Sequence, residues 1–265
     1  MIERLACLTL DLEPDCGGRF NTFQALDNMS AFLAFFERIA LPLTVFVTGR
    51  IFQERPGCVE ALAQFSNVEF GVHSWSHRID AQESEREINL GTESYTRFFG
   101  KAPLGYRAPQ GNLHPGDTDL LLRLGYRYDS SVLPTWRPGV YNNLTKPNKP
   151  YHYNSGLSEI PITVLRPFLV PLGLTYFRLL GLWGASMLLQ ASRLPDIVIV
   201  YFHLHDLFFD PRAGELKGIW KNIYQRNVQN GTTLLQKIIT TLKQQGYNFK
   251  LMACVEGTSE IWSNT

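Results

Sequence analysis

The sequence predicts an α/β fold in which parallel strands form a sheet or a barrel. Apolar runs typical of buried strands alternate with helical patterns along most of the 265 residues, and repeated β-then-α units favour a parallel arrangement. The length suits one large domain, since α/β barrels commonly reach it. Ionisable residues follow several of the predicted strands, where parallel α/β folds carry their reactive groups.

The predicted strands are short runs of aliphatic and aromatic residues. The first, LACLTLDL, comes almost at the start of the chain, and the most apolar, DIVIVYFHLHDLF, carries two histidines. Runs of this kind are typical of strands that are buried on both faces. Strands are predicted over residues 5–12, 41–49, 68–74, 102–109, 126–131, 196–208 and 249–257.

Helices are predicted between these strands, where apolar residues recur with a helical period. The segment 81–100 carries its charges on one side, as an exposed amphipathic helix does. The segment 116–125 has Asp117 at its start and ends with Gly125, and Gly246 stops the final helix. The remaining helices are predicted over 22–40, 55–65 and 231–248.

Composition excludes several classes of function. The formal net charge is +1, from 25 basic and 24 acidic residues, and no Lys/Arg run points to nucleic acid as a partner. The four cysteines lack the CxxC spacing of a zinc knuckle or a disulfide framework. The N-terminal residues carry no signal-peptide pattern, which predicts a cytoplasmic protein.

An apolar segment around 164–192 predicts a helical insertion in a single catalytic domain over 1–265. Its only charges are Arg166 and Arg178, and Pro167 and other breakers make it too short to span a bilayer. One interpretation is a buried or half-buried helix. The other is a helix at the inner face of the membrane, with both arginines at headgroup depth. The side chains that would dock are Phe168, Leu172, Tyr176, Phe177, Leu179, Leu180, Trp183 and Leu188.

The long loop over 133–156 is rich in proline and asparagine. A loop of this length in a compact domain is usually a lid, a wall of a site or disordered.

Two histidines at the end of a predicted strand indicate a metal site. His73 and His77 stand four residues apart in HSWSH, a spacing that lets both imidazoles reach one ion from one face of a helical turn. A third ligand is available from the first strand, where Glu13 is favoured and Asp11 or Asp15 are alternatives. Two histidines and one carboxylate are typical of an open catalytic zinc site.

The same strand ends supply an acid and a base. Asp11 and Glu13 share one strand face, so one can bind metal while the other takes a proton from water. The acid is His203 or His205, and the spacing does not choose between them because both fall on one side of their strand.

Five motifs, LTLDLEPD, HSWSH, YRAPQG, YDSS and IVYFHLHD, occur in the order of a known family. From residue 8 to about residue 206 the chain resembles the polysaccharide deacetylase superfamily, carbohydrate esterase family 4. The resemblance implies a distorted (β/α)7-type barrel of parallel strands. It also implies metal-dependent removal of acyl groups from sugars.

Carried over residue by residue, the resemblance assigns roles to the strand-end groups. Asp11 matches the catalytic base, Arg107 the arginine that orients it, and His203 the catalytic acid. Asp129 lies where a carboxylate tunes that acid, and His73 and His77 match the metal ligands. Substrate contacts are expected from further residues at these motifs, namely Trp75, Pro109, Gly111 and His205.

The first motif departs from the commonest family pattern. Many members have two adjacent aspartates, whereas here the spacing is D-x-E, which resembles a different branch and makes Glu13 the expected metal ligand. The next residue is Pro14, where that branch often has an acid, so Asp15 is kept as an alternative ligand.

Together these features predict a zinc-dependent hydrolase that removes an N-acyl group, expected to be acetyl, from a sugar. The stretch GLTYFRLLG resembles deacetylases of polysaccharide-export and lipid-linked-glycan pathways, which favours a lipid-linked or cell-envelope glycan precursor. Two alternatives stay open: an amide hydrolase of a small non-sugar substrate, and a non-catalytic glycan-binding relative.

Overall fold

The computed structural model describes residues 3–258. Its strands are β1 Leu5–Leu12, β2 Leu43–Val47, β3 Val68–Val72, β4 Gly105–Tyr106, β5 Tyr128–Asp129, β6 Trp136–Arg137, β7 Tyr141–Asn142, β8 Tyr151–His152, β9 Ser158–Glu159, β10 Val164–Leu165, β11 Val170–Pro171, β12 Ile197–His203 and β13 Asn248–Phe249. Its α-helices are α1 Asp15–Gly18, α2 Met29–Ile39, α3 Ile51–Glu54, α4 Pro56–Ala63, α5 Ser84–Phe99, α6 Asp117–Arg123, α7 Leu174–Ala191, α8 Leu204–Leu207, α9 Gly218–Gln225, α10 Gly231–Gln244 and α11 Met252–Glu256.

One curled, largely parallel sheet organises the molecule. Its strands follow the order β12-β1-β2-β3-β4-β5-β9-β8, and β8 alone on this path runs antiparallel to its neighbour. β13 pairs with the start of β1. Beyond β9, Thr163 donates its amide to the carbonyl of Ile199 in β12, which brings the two sides of the curl together. The predicted (β/α)7-type barrel of parallel strands is therefore confirmed.

β1 lies between β12 and β2, and all eight of its residues are buried. Leu8 and Leu10 belong to the main core beneath the helices, while Cys7 belongs to the smaller core inside the curl. Apolar side chains on both faces explain why the sequence is a nearly continuous apolar run rather than an alternating one. In the register of the sheet, Asp11 stands opposite His203, which places two ionisable groups at one level.

The predicted final strand over 249–257 is wrong for most of its length. Only Asn248–Phe249 pairs with β1, and the chain then turns into α11. Met252 and Val255, three residues apart, are both buried there. That spacing fits one face of a helical turn, so the apolar run was compatible with either structure.

The segment 164–192 folds as the hairpin β10–β11 followed by α7. Gly181, at φ 71°, interrupts the helix near its middle. Leu172, Phe177 and Leu189 are buried in the core. Five large apolar side chains are exposed in this part of the chain, namely Phe168, Leu180, Leu182, Trp183 and Met187.

The expectation that Arg178 meets lipid phosphates is wrong. Its side chain is fully buried and forms an ion pair with Asp206 at 3.1 Å, so it points into the protein. Within residues 3–258, the helices are too short or too polar to cross a bilayer.

Candidate active site

The ionisable residues selected from the sequence gather at the C-terminal ends of the central strands. Asp11 and Glu13 come from the end of β1, His73 from the end of β3, Arg107 from the end of β4 and His203 from the end of β12. All five line one cleft. Parallel strands end on the same rim of a curled sheet, which is why residues distant in sequence meet there.

Glu13 and His73, together with His77 from the loop after β3, converge as metal ligands would. Nε2 of His77 lies 2.7 Å, and Nε2 of His73 3.4 Å, from Oε2 of Glu13. Both Nε2 atoms, and Nδ1 of His77, are buried without a hydrogen-bond partner in the part of the chain that the structure describes. Buried nitrogens left unpaired beside a carboxylate are costly unless a cation satisfies them, so this donor set fits a divalent ion such as zinc.

A tight turn, and not a helical turn, brings the two imidazoles together. Ser74 and His77 have φ values of 60° and 67°, so the i, i+4 helical geometry expected from the spacing is wrong here. The hydroxyl of Ser74 accepts from the amide of His77 at 3.0 Å. Glu87 of α5 accepts from the amide and the hydroxyl of Ser76, each at 2.6 Å. These bonds hold the loop in a conformation that local propensity alone does not favour.

Neighbouring groups fix the direction of each ligand. Nδ1 of His73 lies 2.7 Å from the carbonyl of Arg107, so that nitrogen carries the proton and Nε2 is left to face Glu13. Gly18, at φ 77°, lies so close to His77 that a Cβ at this position would be 2.5 Å from its ring. Burial disfavours the charged form of Glu13, yet the neighbouring His203, His77 and His73 hold the pKa of this carboxyl well below its usual range.

Asp15, the alternative ligand, is occupied elsewhere. Its carboxylate accepts from the hydroxyl of Thr22 at 2.6 Å and from the amides of Gln24 and Ala25 at 2.8 Å each. These bonds anchor the loop after β1. The geometry therefore favours Glu13 over Asp15 beside the two histidines.

The guanidinium of Arg107 binds the carboxylate of Asp11. Its guanidinium is 2% exposed and donates to Oδ1 of Asp11 at 2.7 Å. The other donors reach Thr9 and Ser130, and the group lies over the ring of Phe46. A guanidinium whose donors are all bonded is rigid, so it holds the Asp11 carboxylate in one direction.

His203 lies on the other side of the same carboxylates. Its Nε2 is 3.9 Å from Oδ2 of Asp11 and 3.6 Å from Oε1 of Glu13, while its Nδ1 is 2.9 Å from Oδ2 of Asp206. The ionised Asp206 only accepts, so Nδ1 donates to it and Nε2 faces the cleft. Burial opposes protonation, but the carboxylates of Glu13 and Asp206 raise the pKa of His203 to about 9.

The carboxylate beside His203 is Asp206, and the structure does not bring Asp129 to that place. Asp129 accepts from the hydroxyl of Ser131 at 2.5 Å, and Ser131 in turn accepts from the amide of Ala108 at 2.7 Å. Asp129 thus supports the segment that follows Arg107.

Asp206 forms an ion pair with Arg178, the arginine for which the sequence analysis considered a contact with lipid headgroups. Burial works against the ionised form, but the Arg178 guanidinium holds the pKa of Asp206 below its usual range. Arg178 also donates to the carbonyls of Ile223 and Tyr224 at 3.2 and 3.3 Å. The Arg178–Asp206 ion pair therefore connects α7 and the end of α9 to His203, the candidate acid. Removing one partner of a buried pair of this kind typically costs about 3–5 kcal/mol.

His205 lies in the cleft but in a different role from His203. Its ring stacks on His203 with centroids 4.6 Å apart and meets the edge of Tyr224 at 5.0 Å. Burial and the neighbouring His203 charge lower the pKa of His205 to about 4, so the ring stays neutral at pH 7. Glu13, His203 and His205 could also surround an ion, but the raised pKa of His203 keeps a proton on its Nε2, which favours the set with His73 and His77.

The residues expected to contact substrate lie in different places relative to the cleft. Gly111 lines the cleft, and its φ of 71° together with a Cβ position 2.7 Å from the carbonyl of Ser131 demands glycine. Pro109 is buried at the start of the same turn and is not part of the lining. The Trp75 ring packs over Gly49 and does not reach the cleft.

Sequence reasoning missed the outer part of the cleft. The loop 133–156 forms one wall, through the hairpin β6–β7. Loop and helix residues complete the mouth: Arg19, Arg137, Tyr141, Tyr176, Trp220 and Tyr224. The loop was expected as a possible wall, but these side chains were not selected as site residues, because they neither follow a predicted central strand nor belong to one of the five motifs. Asp206 could have been found, because HxxD places a carboxylate three residues after a candidate acid.

Comparison with known proteins gives two adjoining family matches. Residues 3–128 match the family described as polysaccharide deacetylase, and residues 130–255 match a domain family of unknown function. A peptidoglycan deacetylase of Helicobacter pylori is 29% identical over 105 residues, which cover 38% of this chain and 36% of that protein. The chain thus matches only about a third of this curated relative.

Solved structures show the same fold at low identity. A proposed polysaccharide deacetylase from Mycobacterium smegmatis aligns over 99% of this chain and 92% of its own, with 14% identity and a TM-score of 0.61. A carbohydrate esterase family 4 pseudoenzyme from Bacillus anthracis aligns over 96% of this chain and 66% of its own, with 12% identity and a TM-score of 0.57. Residues 3–128 therefore form a polysaccharide deacetylase domain, and the fold is shared with solved structures over nearly the whole chain.

Proposed function

We propose that this protein is a metal-dependent deacetylase that hydrolyses the acetamido group of an N-acetyl sugar. The observation that carries the proposal is the convergence of His73, His77 and Glu13, in which Nε2 of each histidine is turned toward Oε2 of Glu13, beside the Asp11–Arg107 pair. The family supports the same class, a hydrolase of amide bonds.

The three converging side chains would hold the ion. A divalent ion held there would supply Lewis-acid polarisation of the amide carbonyl and of the attacking water. Asp11, held in one direction by Arg107, would accept a proton from the attacking water.

His203 supplies the proton that the leaving amine needs. Its Nε2 faces the cleft at 3.9 Å from the candidate base, and Asp206 fixes its ring through Nδ1. A base and an acid on neighbouring strands, each oriented by a buried partner, form the minimum set for amide hydrolysis.

Two alternative functions fit the structure less well. A glycan-binding protein that has lost catalysis would be expected to lack a ligand, an acid or a base. Here candidates for all of these groups line one cleft. A hydrolase of a small non-sugar amide would make no use of the aromatic side chains in the outer part of this cleft, Tyr141, Tyr176 and Trp220. Aromatic side chains of this kind suit sugar rings.

Acetate release from N-acetylated chitooligosaccharides tests the proposal. The protein loaded with zinc should release acetate, lose this activity after chelation and recover it when zinc is restored. A protein that binds zinc stoichiometrically but releases no acetate from any N-acetyl sugar would contradict the proposed activity.

We further propose that the substrate is met at an anionic membrane surface, as a lipid-linked precursor would be. Trp183 is 77% exposed, and the only charge in α7, Arg178, is buried, so the outer face of this helix is uncharged. The adjoining α9 adds exposed Ile219 and the flanking cations Lys217 and Lys221. Exposed apolar side chains beside lysines are typical of interfacial binding.

Vesicle co-sedimentation checks this surface. The protein should pellet with anionic vesicles, and Trp183→Ser should reduce the bound fraction several-fold, while Trp136→Ser, an exposed tryptophan outside this surface, should not. Equal binding by both variants, or no binding by the unmodified protein, would exclude α7 as the docking element.

A further inference from the structure

The mouth of the cleft carries two arginines that the proposed reaction does not use. Arg19 lies on the loop after β1 and Arg137 on the hairpin β6–β7, and both line the cleft. Arg107, the third arginine of the lining, is fully engaged by Asp11 and its neighbours.

Neither outer guanidinium is neutralised by the protein. Within residues 3–258, Arg19 and Arg137 form no ion pair with a carboxylate, although eight other arginines do. Arg19 lies 3.2 Å above the ring of Trp220, which holds it at the mouth without cancelling its charge. Asp11 and Glu13 are the acidic residues of the lining, and both are buried at its floor.

The two cations come from different segments of the chain. Arg19 lies between β1 and α2, and Arg137 lies in β6 of the separate hairpin, so each reaches the cleft from its own loop. Each can bind one carboxylate through two hydrogen bonds.

From this arrangement we infer that the substrate is an acidic glycan, in which sugars bearing carboxylates flank the acetamido sugar. The inference rests on the proposed deacetylase function and specifies its substrate class. The arginines act as specificity determinants: they bind the chain on either side of the reacting sugar and do not touch the scissile amide.

Matched oligosaccharides test the inference. One alternates N-acetylglucosamine with glucuronic acid, and the other is the same oligosaccharide with its carboxyl groups reduced to alcohols. The unmodified protein should prefer the acidic form in kcat/KM, mainly through KM, and the preference should weaken as salt is raised. Arg137→Gln and Arg19→Gln should each reduce this preference about tenfold, since hydrogen bonds between charged groups are the stronger ones. Arg123→Gln, an exposed arginine on α6, is the matched control and should leave the preference intact.

Direct binding separates this inference from the proposed reaction. Calorimetric titration with the acidic oligosaccharide reports binding even if no acetate is released, and the two arginine variants should bind it more weakly. Equal affinity for the acidic and reduced forms would overturn the inference. So would a preference that survives in the double variant. Competition by inorganic pyrophosphate, without binding of the acidic oligosaccharide, would assign the arginines to phosphate instead.

Discussion

His77→Ala should abolish metal binding and with it nearly all activity. Nε2 of His77 makes the shortest approach to Glu13, at 2.7 Å, and neither of its ring nitrogens is bonded to other described groups. Because Lewis-acid stabilisation contributes several kcal/mol, activity should fall by roughly 10²–10³-fold. Elemental analysis after dialysis measures the loss of metal, and acetate release measures the loss of turnover.

His152→Ala is the matched control for this substitution. His152 lies exposed on the edge strand β8, outside the cleft, so its removal should leave both metal content and activity unchanged. If His77→Ala retains a full equivalent of metal and full activity, the site is misplaced and the alternative set of Glu13, His203 and His205 would become the candidate.

Asp11→Asn should keep the metal and lose turnover. The amide oxygen of asparagine can still accept from Arg107, so the buried guanidinium keeps a partner and the fold is preserved. The amide cannot take a proton from water, and general base catalysis contributes roughly 10²–10⁴-fold. The expected signature is therefore unchanged metal content, a similar unfolding midpoint and a fall of that size in kcat.

The metal content of this variant distinguishes two assignments. If Asp11→Asn loses its metal together with its activity, Asp11 is a ligand and the roles of Asp11 and Glu13 must be exchanged. Glu13→Gln provides the complementary measurement, since it should lose metal first.

The sequence predicted the long central strands better than the short outer ones. β1 and β12 are apolar on both faces over seven or more residues, so composition alone identified them. The strands at Arg107 and Asp129 were predicted over 102–109 and 126–131 but are only two residues long, because a pattern this short does not fix where a strand begins and ends. The same limit led to an overlong final strand, where α11 forms.

The residues of the inner site could be selected from the sequence because they follow strands. The ion pair that supports His203, between Arg178 and Asp206, could not. Asp11, Glu13, His73, Arg107 and His203 sit where apolar runs stop, which marks them in the sequence. Arg178 and Asp206 are 28 residues apart, and their contact depends on how α7 packs over the sheet. An arginine in an apolar stretch had two interpretations, a lipid contact or a buried ion pair, and only tertiary packing decides between them.

The pairing of β12 with β1 means that the border between the two matched family regions, near residue 129, is not a place where the chain can be cut. β12, which belongs to the second matched region, pairs with β1 from Leu5 to Asp11. A fragment ending at residue 128 would leave that whole edge of β1 open, with buried apolar side chains on both faces, and exposed edges of this kind promote aggregation. It would also lack His203 and Asp206. Evolution could therefore not have exchanged the second half as a separate module without rebuilding the centre of the sheet.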